Sequence, residues 1–95
     1  MLDELFQIIE DRKANPVEGS YTNRLLEAGE DEILKKIGEE AVEVILAAKA
    51  QGNQRLVEEL ADLVYHSLVL LAAKSLTLSD IHGELSRRHF SSTRR

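Results

Sequence analysis

The chain has 95 residues, 43% hydrophobic and 31% charged, with one proline and a formal net charge of −5; this is the make-up of a small, helix-rich globular protein rather than a disordered one. It contains no cysteine, which excludes a disulfide framework, a thiolate metal site and a thiol nucleophile and leaves carboxylate and histidine to carry any chemistry. Four of the last nine residues are arginine, while the preceding 86 hold eight basic against 17 acidic residues, so nucleic acid is not expected to bind the body of the chain.

In chain order, the first helix is predicted over about Leu2 to Lys13, with Leu2, Leu5, Phe6 and Ile9 on one stripe. Asn15 precedes Pro16, which ends it. Ser20 is a candidate N-cap for a short second helix, Tyr21 to Glu27, closed by Gly29. The Gly19-Ser20-Tyr21-Thr22 corner could hold a phosphate on free helix N–H groups, or be an ordinary capped helix start.

The third helix is predicted over roughly Asp31 to Gln51, with Ile33, Leu34, Ile37, Ala41, Val44, Ile45 and Ala48 on one broad apolar face and Lys36, Glu40 and Glu43 along its flank. Val42 and Leu46 fall on the opposite side, which predicts a second covering surface and hence a partner subunit. Gly38 sits mid-helix at a cost of about 1 kcal/mol relative to alanine, a cost expected either where a backbone or ligand comes close or where it is simply tolerated. Gly52 reads as the C-terminal stop and Asn53 as the N-cap of a fourth helix, Gln54 to Ser75, and so short a link implies an antiparallel hairpin. That fourth helix is apolar nearly all round and is expected to be central, with Glu59, Asp62 and His66 as its one polar stripe. A last helix, about Leu78 to Arg88, opens on the capping-box pattern Thr77-Leu78-Ser79-Asp80. The expectation is an all-α antiparallel bundle of four to five helices in one domain, residues 1–88, followed by a basic tail, 89–95, that is either a solvated terminus or an arm for an anionic ligand. The longest purely apolar run, Leu68 to Ala73, is too short to span a bilayer, and the acidic N-terminus adds to the expectation of a cytoplasmic protein with no membrane contact.

The chemistry concentrates between Glu39 and Asp62. Glu40 and Glu43, like Glu59 and Asp62, are three residues apart, on one helix face and about 4.5 Å apart along its axis. The hairpin brings the two pairs to similar heights, which makes a cage of four carboxylates. Such a group repels itself unless a cation sits within it. Carboxylate-only ligation suits Mg²⁺, with Mn²⁺ possible, whereas zinc or a di-iron centre recruits histidine. His66 is then either a donor beside the metal ligands or to substrate phosphate, or a core histidine bonded to Asp62. Lys36 either takes a phosphate or pairs with Glu40.

Three blocks carry a resemblance: Gly19-Ser20-Tyr21-Thr22; Leu34-Lys35-Lys36-Ile37-Gly38-Glu39-Glu40-Ala41-x-Glu43; and Glu58-Glu59-Leu60-Ala61-Asp62-Leu63-x-Tyr65-His66. Glu-Glu-x-x-Glu followed by Glu-x-x-Asp resembles the signature of the all-α nucleoside triphosphate pyrophosphatases, the MazG-like superfamily. The three blocks in order are similar to the phosphoribosyl-ATP pyrophosphatase family of histidine biosynthesis. The resemblance implies a Mg²⁺-dependent homodimer that cleaves the α–β phosphoanhydride of phosphoribosyl-ATP to phosphoribosyl-AMP and pyrophosphate. It implies metal ligation by Glu40, Glu43, Glu59 and Asp62, Glu39 as a further acidic catalytic member, and substrate contacts at Tyr21, Thr22, Lys36 and His66. The chain departs from the pattern at Asn23, where a basic residue is usual. In some relatives the activity is fused to a cyclohydrolase, and no such domain is expected in these residues. Two other readings use the same residues: a house-cleaning pyrophosphatase for noncanonical nucleoside triphosphates, and a non-enzymatic helical dimerisation module with a solvated acidic stripe.

Overall fold

Five α-helices follow one another in a computed structural model that describes residues 1–91, with side chains over 1–88: α1 (Leu2–Ala14), α2 (Tyr21–Ala28), α3 (Glu30–Leu46), α4 (Asn53–Ala73) and α5 (Leu78–Ser91). The described residues contain no strand. The basic tail expected over 89–95 falls outside the described side chains, although the backbone of α5 runs into its first three residues. No described helix is long and apolar enough to cross a membrane.

The helix ends follow local chemistry. Ser20 Oγ accepts from the Asn23 N–H at 3.2 Å and caps α2. Thr77 and Asp80 bond reciprocally, Thr77 N–H to Asp80 Oδ2 at 2.8 Å and Asp80 N–H to Thr77 Oγ1 at 3.2 Å, so the capping box opens α5 as expected. The α3–α4 link differs from the expectation. α3 ends at Leu46 and a wider π turn, Ala47–Gln51, carries the chain to Gly52, whose φ of 88° only glycine adopts without strain. Gly52 reverses the chain by itself, and Asn53 is the first residue of α4 rather than its side-chain cap.

The core gathers Phe6 and Ile9 of α1, Leu25 of α2, Ile33 of α3 and Leu68, Val69 and Ala72 of α4. Leu78 brings the start of α5 against it. Two side chains lock the N-terminal half in place. Lys13 Nζ donates to the Ala72 carbonyl at 2.7 Å and to Ser75 Oγ at 3.1 Å, tying α1 to the end of α4. Buried Asn23 accepts the Val17 N–H and donates Nδ2–H to the Arg12 carbonyl, both at 2.8 Å, fastening the loop that precedes α2.

Two expectations need correcting. The broad apolar face of α3 is not covered as a unit: Ile33 is buried and Ile37, Ala41 and Val44 are half-buried, but Leu34, Ile45 and Ala48 are exposed. Nor is α4 central along its whole length, because only its second half lies in the core while Val57, Leu60 and Val64 face outward. Four shorter helices cannot wrap both sides of a 21-residue helix, so the far ends of the hairpin stay open within one chain. At Gly38 a Cβ would meet nothing within 4 Å, so no neighbouring backbone among the described residues explains that glycine.

Candidate metal and nucleotide site

The antiparallel α3–α4 hairpin brings the acidic blocks together. Glu40 of α3 and Glu59 and Asp62 of α4 each offer a carboxylate oxygen, and the three lie within 4.8 Å of one another. Their surroundings grade from inside to outside: Glu59 is 6% exposed, Glu40 is half-buried and Asp62 is open to solvent. Burial raises the Glu40 carboxyl above its ordinary value, and the Asp62 and Glu59 carboxylates, with an Asp62 hydrogen bond, push it further in the same direction. A carboxylate pushed toward protonation in this way is short of positive charge nearby. Three hard oxygen donors at this spacing fit a hard divalent cation, so the cluster could bind one.

The other expected members are placed less uniformly. Glu43 is half-buried one turn after Glu40 and is not one of the three converging groups. Glu39 is half-exposed, and it is Glu39, rather than Glu40, that Lys36 approaches, at 3.9 Å.

His66 is buried with both ring nitrogens engaged. Nδ1–H donates to the Asp62 carbonyl at 2.8 Å, and Tyr21 O–H, 2.9 Å away, donates to Nε2. The bond to Asp62 is therefore to its backbone and not to its carboxylate. Carbonyl acceptance fixes the tautomer of a neutral ring, and the ring in turn aims the Tyr21 hydroxyl. Tyr65 extends this wall: it stacks on Tyr21 with centroids 6.1 Å apart, and its hydroxyl bonds to Thr22 Oγ1. Tyr21 and Thr22 thus stand next to the second acidic block because α2 docks on the middle of α4.

Three residues were given no role from the sequence. Tyr65 buttresses Tyr21, and its position directly before His66 was the available signal. Arg55 pairs with both Glu58 and Glu59, and the i,i+3 and i,i+4 spacings could have disclosed it. Arg24 lies over the Tyr21 ring, 5.4 Å from its centroid. Arg24 thus supplies the positive charge of this corner, next to Asn23, whose side chain is spent on the loop.

Fold and cluster together define a class: an all-helical protein with a carboxylate-lined candidate cation site and a tyrosine–histidine wall beside it. The sequence pattern of the family described as phosphoribosyl-ATP pyrophosphohydrolase matches residues 2–89. The chain is 58% identical over 88 residues to the phosphoribosyl-ATP pyrophosphatase of Listeria welshimeri, covering 93% of this chain and 84% of that one. It is 53% identical over 89 residues to the enzyme of the same name from Clostridium acetobutylicum, covering 94% and 81%. It is also 54% identical over 89 residues to the histidine biosynthesis bifunctional protein HisIE of Caldanaerobacter subterraneus subsp. tengcongensis, a longer chain of which the match covers 43%. The chain belongs to the phosphoribosyl-ATP pyrophosphohydrolase family.

Proposed function

We propose that the Glu40–Glu59–Asp62 cluster is the seat of the family's reaction in this chain, the cleavage of the α–β phosphoanhydride of phosphoribosyl-ATP to phosphoribosyl-AMP and pyrophosphate in histidine biosynthesis, with Mg²⁺ as its cation. The observation that carries this reading is the convergence of three carboxylate oxygens within 4.8 Å from the two helices that hold the acidic blocks.

In this reading Glu40, Glu59 and Asp62 hold the ion, and Glu43, one turn along α3, completes the ligand set. When bound, Mg²⁺ screens the phosphate charge and stabilises the leaving pyrophosphate. Glu39, outside the ligand set at the rim, is the carboxylate left to take a proton from the attacking water. Lys36 and the Tyr21–Thr22 corner receive the phosphates. His66 is a positioning residue, since it meets substrate only through the hydroxyl of Tyr21. Nothing here calls for a covalent nucleophile. An enzyme of small-molecule biosynthesis with a nucleotide substrate belongs in the cytoplasm.

Pyrophosphate release measured against phosphoribosyl-ATP and a panel of noncanonical nucleoside triphosphates, in Mg²⁺ and in EDTA, tests the reading. Mg²⁺-dependent turnover of phosphoribosyl-ATP is expected. Preference for a noncanonical triphosphate, or unchanged turnover in EDTA, overturns it.

The open hairpin supports a homodimer. Val42, Ile45, Leu46 and Val57 are between 47% and 61% exposed, too much apolar surface along one hairpin for a small chain to leave in water. Sedimentation at micromolar concentration is expected to give twice the chain mass, and a folded, active monomer at that concentration overturns the assignment.

A further inference from the structure

Glu59 is the most enclosed carboxylate of the cluster, and it is the one that already has a cation. Arg55, one turn earlier on α4, reaches Glu59 Oε2 with Nη2 and Glu58 Oε1 with Nη1. The two partners of Arg55 differ sharply: the side chain of Glu59 is 8% exposed and that of Glu58 is 46% exposed, as is Arg55 itself. A buried carboxylate beside two others is costly without a positive neighbour. The guanidinium meets that need from the solvent side of the helix.

A divalent ion on the same carboxylate changes the balance. The ion and the guanidinium carry like charge and would lie a few ångströms apart, where repulsion is large. Arg55 can leave at small cost, because it is half in water and keeps Glu58. Glu59 cannot leave, because the helix packing holds it inside.

We propose that Arg55 is an exchangeable counter-ion of Glu59: it neutralises this carboxylate in the metal-free chain and competes with the divalent cation for it, so that it sets the affinity of the site. The inference rests on the reading that the cluster holds a cation, and it concerns a residue outside the carboxylate set. Its functional meaning is that the apo protein tolerates a buried anionic site without binding Mg²⁺ so tightly that exchange is lost.

Calorimetric titration of the full chain with MgCl₂ alone, without nucleotide, tests this on wild type, Arg55→Gln and Arg55→Lys. Arg55 is at the surface, and circular dichroism verifies that each variant is folded. Arg55→Gln is expected to bind Mg²⁺ roughly five- to tenfold more tightly, since a half-exposed partner of a buried charge is worth more than a surface pair. Arg55→Lys keeps the charge and is expected within about twofold of wild type. The metal-free Arg55→Gln protein should also melt lower than wild type, while the Mg²⁺-loaded forms melt together. Unchanged or weaker Mg²⁺ binding by Arg55→Gln, or equal tightening by Arg55→Lys, overturns the exchange and leaves the metal site standing. Absence of Mg²⁺ binding by the wild-type chain overturns both.

Discussion

Glu59→Gln is expected to lower Mg²⁺-dependent pyrophosphate release by at least about a hundredfold, because it removes one of the three charges that converge on the proposed ion while conserving shape. The effect on the fold should be small. Glutamine fills the same volume, the variant loses the pairing with Arg55, and it gains relief from Glu40 and Asp62. Arg55 retains Glu58. Steady-state kinetics over a Mg²⁺ series, with circular dichroism and thermal melts in EDTA, separates the two effects. Wild-type turnover at limiting Mg²⁺ would remove Glu59 from the ligand set, and loss of helicity would make the activity loss uninformative about ligation.

The second large effect is a linkage between pH and Mg²⁺. The Glu40 carboxyl is raised above 4.5, first by burial and then by its acidic neighbours. A raised acid binds more protons in the folded state than in the unfolded state. Its contribution to stability is full below the unfolded value and is lost as pH climbs through the folded one. The metal-free chain should therefore lose stability as pH rises from about 4.5, the range in which this group ionises. Glu58 and Glu84 act in the opposite sense and lower down: hydrogen bonds from Gln54 and then Arg55 depress Glu58, and Arg87 and Arg88 hold Glu84 down to about 2. Their contributions fade only as pH falls below the ordinary carboxylate value, so they leave the upper window clear. Mg²⁺ binds the ionised cluster and restores what deprotonation costs, about 2.7 kcal/mol at a hundredfold excess over Kd. The melting-temperature difference between Mg²⁺ and EDTA is expected to widen from pH 5 to 8. A difference that stays flat or narrows would mean that the three carboxylates do not share an ion.

Much of this site was legible in the residues themselves. The spacing of Glu40, Glu59 and Asp62 about a short link was enough to place them face to face, because helical periodicity and a glycine reversal leave little freedom to a hairpin. The caps at Ser20 and Thr77 were legible for the same reason: they are local chemistry. What could not be read was tertiary. The pairing of His66 with the Asp62 carbonyl and Tyr21 needs α2 to dock on α4, which no period in the sequence encodes. The split exposure of α3 and α4 depends on how far four other helices can reach, and apolar periodicity marks a face without saying what covers it. Asn23 stood out in the sequence only as a departure from the family pattern, where a basic residue is usual. In the fold it is a buried staple, and Arg24 beside it faces out.

The one-residue reversal at Gly52 also bears on how the chain folds. The three converging carboxylates come from a segment of 23 residues, Glu40 to Asp62, joined within a single hairpin, so their meeting closes a short loop rather than a long one. Helices and short loops form within microseconds or faster. The anionic cluster is therefore expected to come together early, before α1 and α2 complete the core, with its self-repulsion opposing the hairpin at the stage when the fewest apolar contacts hold it. Arg55 sits on the same hairpin as the charges it balances, so the compensating cation arrives in the same event as the repulsion it offsets.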